Sequence, residues 1–228
     1  MPRGEDIQFP SNGGTANGYL ATPDSGSGPG IVVIQEWWGL NHQIRTTADR
    51  FASEGFVALA PDFYHGKGAE IGEPDEAGKL MMALNIDGVA RDGRGAVEWL
   101  RQRVGSPVGV IGFCMGGQLA LLVGTVGSDD VGAVVDMYGV HPNVKPDFSR
   151  MKAPVMALFA DNDGFVDASA RENLARQMRE AGVRYTSDVY PGVDHAFMND
   201  ENPSAYNRDA SEDAWRRITA FFRQELRT

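Results

Sequence analysis

Apolar residues in this chain fall into short unbroken runs, separated by longer stretches in which they recur every three or four positions. Ile31-Val32-Val33-Ile34 and Val108-Gly109-Val110-Ile111 carry no polar side chain. A half-exposed strand alternates, whereas a strand covered on both faces of a parallel sheet reads as a continuous apolar run. Further strands are predicted at 56–60, stopped by Pro61-Asp62, and at 131–137, 154–159 and 185–190. Between them the period changes to that of a helix. Ile44, Ala48, Phe51 and Ala52 share one face of a helix predicted at 43–54, and Gly55 is placed to end it. Val89, Ala96, Val97 and Leu100 line the buried side of another at 87–104. Gly88, Gly93 and Gly95 oppose that helix, each costing up to about 1 kcal/mol relative to alanine. Helices are also predicted at 75–84, 115–126, 168–181 and 207–225. At the start of the chain, Ser11-Asn12-Gly13-Gly14 reads as a hairpin turn between strands at 6–9 and 15–21. Such alternation of strands and helices predicts the α/β class: a mostly parallel central sheet, helices on both faces, and the N-terminal hairpin at one edge.

Composition narrows the reading without changing it. The chain has 228 residues, 42% of them hydrophobic and 23% charged, and no repeat or linker splits it, so residues 1–228 are expected to form one domain. A formal net charge of −10 disfavours nucleic acid and anionic membranes as partners. No apolar stretch reaches membrane-spanning length, and Met1-Pro2-Arg3-Gly4-Glu5-Asp6 lacks the apolar core of a signal peptide. A cytoplasmic monomer acting on a small molecule is expected. The single cysteine excludes an internal disulfide, and the four histidines, at 42, 65, 141 and 195, show no paired ligand spacing. Chemistry free of metal and cofactor is therefore expected.

That one cysteine stands in Gly112-Phe113-Cys114-Met115-Gly116-Gly117, between a predicted strand and a predicted helix. The hexapeptide has the pattern of a nucleophile elbow, G-x-S-x-G, with sulfur in place of the serine oxygen. Glycines flank the nucleophile because the turn is too tight for side chains there. The turn sets the sulfur at a helix N-terminus, whose free N–H groups favour a thiolate and later an oxyanion. Alternative readings of a glycine-rich strand–helix turn fail on residues, since neither Gly-Lys-Ser/Thr nor G-x-G-x-x-G is present.

A thiol at its free pKa is only a few per cent ionised near neutrality, so a base and a carboxylate to orient it are required. Elbow folds supply these in the order nucleophile, acid, histidine. Here Cys114 is followed by Ala160-Asp161-Asn162-Asp163-Gly164-Phe165-Val166 and then by Asp194-His195-Ala196-Phe197. Of the two acids, Asp163 is preferred over Asp161, and Asp167 is expected to cap the helix that follows. His42, His65 and His141 are expected on the surface or in loops. The backbone N–H groups of Met115 and Trp37 are the expected oxyanion donors. The carboxyl ends of the strands, where such sites lie, hold Glu36, Cys114, Asp163 and His195.

These residues resemble the dienelactone hydrolase family of the α/β-hydrolase fold. The resemblance runs nearly end to end, through Gln35-Glu36-Trp37-Trp38-Gly39, Ala60-Pro61-Asp62-Phe63-Tyr64, the elbow, Tyr138-Gly139, Asp163-Gly164-Phe165-Val166 and His195-Ala196-Phe197. It implies hydrolysis of a lactone or enol ester by acyl transfer to the thiol. It also implies that Glu36 modulates the nucleophile, holding the resting thiol in an unreactive orientation. Phe63, Tyr64, Tyr138 and Phe197 are expected in the substrate pocket. Two features depart from the family. Asn199 stands where relatives place an arginine after the histidine, and residues 73–81 contain neither arginine nor aromatic. An anionic substrate would lose its bidentate clamp, and Lys79 and Arg208 are out of register to replace it. A general esterase for neutral substrates is thus an alternative, as is a non-catalytic ligand-binding or redox-sensing role. The sensing role is weakened by the lack of a second, resolving cysteine.

Overall fold

The computed structural model describes residues 3–11, 13–139 and 141–226; Asn12 of the expected hairpin turn lies outside them. The strands are β1 (Arg3–Ser11), β2 (Gly14–Thr22), β3 (Gly30–Ile34), β4 (Val57–Pro61), β5 (Val108–Phe113), β6 (Val131–Met137), β7 (Val155–Asn162) and β8 (Tyr185–Asp194). The helices are α1 (His42–Ser53), α2 (Pro74–Met82), α3 (Ile86–Val104), α4 (Met115–Gly127), α5 (Ala168–Glu180) and α6 (Arg208–Glu225). The strands form an eight-stranded sheet in the order β1-β2-β4-β3-β5-β6-β7-β8. β1 and β2 pair antiparallel and join the sheet antiparallel through β4, whereas all pairs from β4 to β8 are parallel. This is the expected α/β-hydrolase architecture, with the hairpin at one edge.

Every residue of β3, β4 and β5 is buried, as a strand covered on both faces requires. On one face α1 meets α6, where the Phe51 and Trp215 rings lie 4.5 Å apart. On the other face α3 packs on α4. The glycines that lower the helix propensity of α3 make that contact possible: a Cβ on Gly93 would lie 2.4 Å from Val123 Cγ2. The local cost is offset by the close approach of two helices.

Several elements run beyond their apolar pattern. β7 extends to Asn162 and β8 to Asp194, and these two end residues pair. β8 is largely exposed and polar, so its side chains do not mark its length; main-chain pairing does. The extension brings the two chain segments that follow these strands side by side.

Candidate active site

Cys114 joins β5 to α4 with φ 55° and ψ −123°, a left-handed conformation rare for a residue with a side chain. The surrounding packing enforces it. A Cβ on Gly112 would lie 1.8 Å from the Gly116 carbonyl oxygen, and one on Gly116 would lie 2.3 Å from the carbonyl oxygen of Gln35. Strand, helix and the loop after β3 therefore touch backbone to backbone. The Cys114 amide donates to the Met137 carbonyl at 3.0 Å, and the Gly117 amide donates to the Cys114 carbonyl at 2.9 Å. Cys114 is 9% exposed, at the N-terminus of α4. Met115 is the first residue of that helix.

Asp163 and His195 each begin the turn after β7 and β8. His195 Nδ1 donates to Asp163 Oδ2 at 2.7 Å, while Asp163 Oδ1 accepts from the amides of Phe165 (2.8 Å) and Val166 (3.0 Å). Asp161 is exposed. Burial would raise the Asp163 pKa, but the His195 ring and the two amides outweigh it and hold the carboxyl below its usual value. Burial likewise opposes protonation of His195, yet Asp163 and the Cys114 sulfur push it up to about 10. Its Nε2 is buried and without a hydrogen bond among the described residues, and the Cys114 side chain lies near enough to act on the ring.

Glu36 lies two residues beyond β3 and is buried. Its Oε2 accepts from Asn199 Nδ2 at 2.7 Å, and its Oε1 has no partner among the described residues. Burial pushes the Glu36 carboxyl up to about 7, opposed by Asn199 and by His195. Glu36 is bonded to Asn199 and not to the Cys114 thiol, so the resting restraint implied by the resemblance is not present in this conformation. The position read from the sequence only as lacking an arginine is thus the hydrogen-bond partner of the buried acid. Polarity at 199 signals nothing of this; the partners are 163 residues apart.

A cleft of about 400 Å³ opens over the sulfur, lined by Trp37, Trp38, Met81, Pro142, Phe165, Ala196 and Asn202 together with Glu36, Cys114 and His195. The aromatic residues expected there are elsewhere. Tyr138 and Phe197 are fully buried, their rings 5.3 Å apart, and Tyr138 packs edge-on to the His195 imidazole at 5.1 Å. Tyr138 thus backs the histidine, and Phe197 packs against Tyr138. Phe63 and Tyr64 line a second cavity of about 560 Å³ beside α3 and the hairpin. Behind the elbow, the Tyr64 hydroxyl donates to Met115 Sδ at 3.4 Å. The motifs that carry the resemblance place these four in the pocket; their side chains are instead buried, in the loops after β4 (Phe63, Tyr64), β6 (Tyr138) and β8 (Phe197). Met81, Pro142 and Phe165 form the wall instead. His141, expected on the surface or in a loop, lies in the loop after β6 and is buried there, its Nδ1 accepting from the Asn143 amide at 3.1 Å.

Asp136 in β6 was not marked by any motif. It is fully buried, and neither carboxyl oxygen has a partner among the described residues. Burial pushes it up to about 7. A carboxyl raised in the folded state loses stability as pH rises from its unfolded value through its folded one. Asp136→Asn is therefore expected to raise the melting temperature at about pH 8 by several degrees. It should also flatten the decline in stability between about pH 4 and 7. Calorimetric melts across that range check this, and a variant less stable at every pH contradicts it.

No group of three or more His, Cys, Asp or Glu side chains among the described residues is arranged to hold a metal ion. No helix there is long and apolar enough to cross a membrane.

Residues 16–226 match the model of the dienelactone hydrolase family. "Protein usf" of Aquifex pyrophilus is 40% identical over 98% of this chain and 99% of its own length. A "Putative carboxymethylenebutenolidase" of Aquifex aeolicus is 35% identical over 98% of this chain and all of its own length (100%). Among solved structures, a "Putative Dienelactone Hydrolase" from Klebsiella pneumoniae superposes with a TM-score of 0.86 at 26% identity, covering 98% of this chain and 99% of that one.

Proposed function

The chain belongs to the dienelactone hydrolase family and is a carboxylic-ester hydrolase, and from that premise we propose that it cleaves esters or lactones through Cys114, His195 and Asp163. The observation that carries this reading is the 2.7 Å bond from His195 Nδ1 to Asp163, which leaves a buried, unbonded Nε2 beside the sulfur.

Nε2 takes the thiol proton, and Asp163 stabilises the imidazolium. The thiolate attacks the acyl carbon, forming a C–S bond and placing negative charge on the carbonyl oxygen. The N–H groups of Met115 and Trp37 receive that charge; losing one such donor typically costs about 10²–10³ in rate. Collapse of the intermediate breaks the C–O bond, and the imidazolium gives its proton to the departing alkoxide. For a lactone the alkoxide stays attached, as the far end of the acyl chain. Water, deprotonated by Nε2, then attacks the thioester, the carboxylic acid leaves, and the thiolate–imidazolium pair returns. The acyl-enzyme is thus a thioester on the only cysteine of the chain.

Rapid acid quenching of the enzyme with an activated ester tests this. Intact mass is expected to rise by one acyl group, with the adduct on the peptide containing Cys114. An adduct on another residue, or a burst of product with no adduct on that peptide, contradicts the thioester route.

A further inference from the structure

The charge arrangement of the cleft goes beyond the reaction and bears on which esters it admits. We propose that the cleft takes uncharged esters or lactones carrying an apolar group and rejects those carrying a carboxylate, with Glu36, anchored by Asn199, as the deciding residue. The inference rests on the acyl-transfer reading of the same cleft.

No lysine or arginine is among the described residues lining this cavity. The one potential cation among the described lining residues, the His195 ring, is already engaged by two acidic groups: the Asp163 carboxylate at 2.7 Å and the Cys114 thiol. Glu36 adds a third acid, with Oε1 buried and unpaired at the site. Asn199 is fully buried and not among the residues lining the cavity, so it does not reach an incoming carboxylate. Its Nδ2 is committed to Glu36 at 2.7 Å and its Oδ1 to the Glu201 amide at 3.1 Å. The nearest lysine in sequence to Met81, Lys79, pairs with Glu76 at 3.3 Å and is exposed. A carboxylate entering here would leave water without a counter-charge and meet like charge at short range, both strongly unfavourable in a confined site. An apolar group meets Trp37, Met81, Pro142 and Phe165. Phe165 is 62% exposed at the mouth, its ring 5.1 Å from that of His195. Covering such a surface favours binding by the area it removes from water.

Selectivity is a ratio of kcat/KM values, so the test uses two para-nitrophenyl esters of similar shape. One is the 4-methylpentanoate and the other the hemisuccinate, whose carboxylate replaces the branched methyl end. At about pH 8 the unaltered protein is expected to prefer the neutral ester by about 100-fold or more after correction for their uncatalysed rates. Asn199→Arg and, separately, Glu36→Gln are each expected to narrow that ratio by about tenfold or more. Inhibition supplies a measurement that needs no variant: 4-phenylbutanamide is expected to compete more strongly than 4-phenylbutanoate. Equal or reversed preference in the unaltered protein, with both turnovers dependent on Cys114, overturns this inference while the thioester mechanism stands. Turnover that survives Cys114→Ala overturns both.

Discussion

Cys114→Ala is expected to lower kcat/KM on an activated ester by about 10⁴-fold or more, with the fold retained. The size follows from how the acceleration is assembled. Without the sulfur there is no C–S bond to form, and the reaction must proceed by direct attack of water. The oxyanion donors proposed at Met115 and Trp37 would still assist that route, but they cannot supply a nucleophile. Retention of the fold follows from the position. The side chain is small and 9% exposed, so its loss opens little cavity. The strained φ of 55° is imposed by the contacts of Gly112 and Gly116 rather than by the sulfur. Steady-state rates together with thermal melts decide it. A variant that retains more than about one per cent of activity, in material free of unaltered protein, excludes Cys114 as the nucleophile.

The second large effect distinguishes two acids only two positions apart. Asp163→Asn is expected to lower kcat/KM by about 10³–10⁴-fold, and Asp161→Asn by less than about threefold. Asparagine at 163 can keep the bonds from the Phe165 and Val166 amides, because Oδ1 persists. What changes is the face toward the imidazole. An amide N–H there favours the tautomer with the proton on Nε2, which can no longer accept from the thiol. The carboxylate also holds the His195 pKa up, so the substitution is expected to lower the imidazole pKa, read by NMR titration of the ring. A linkage effect on stability should follow. Asp163 is depressed in the folded state, so its contribution is present above the unfolded carboxyl pKa and lost as pH falls through the folded one. The asparagine variant should therefore lose stability at neutral pH and little at acid pH. If Asp161→Asn instead proves the damaging change, the geometry of the turn after β7 does not describe the working enzyme.

Much of this protein is legible in one dimension because its core is layered. β3, β4 and β5 are covered on both sides, and their residues can only be apolar. The elbow is legible for a related reason. Three backbones meet at Gly112 and Gly116, and only residues without Cβ fit, so the spacing of glycines about Cys114 records a tertiary contact in local form. The order of Cys114, Asp163 and His195 is readable because each follows a strand end, and strand ends in a parallel sheet gather along one edge. Readability fails where this layering stops. β8 is polar and half outside the core, and its true length shows only in its pairing with β7. Asp136 carries no motif at all, and its burial is known only from what packs around it.

The sequence by itself determined the fold class, the elbow and its sulfur, and the chain order of acid and histidine. These depend on period, on backbone space and on succession, all of which are properties of neighbouring residues. Only the tertiary structure decided which of two aspartates meets the imidazole, which partner Glu36 takes, and which side chains wall the cleft. Asp163 rather than Asp161 reaches His195 because of the turn geometry after a paired strand end. Glu36 finds Asn199 across 163 positions. Met81, Pro142 and Phe165 form the wall, while Tyr138 and Phe197, read as pocket residues, lie behind it. The direction of a side chain leaving a loop is set by whatever packs against that loop, and no local pattern of hydrophobic and polar residues encodes it.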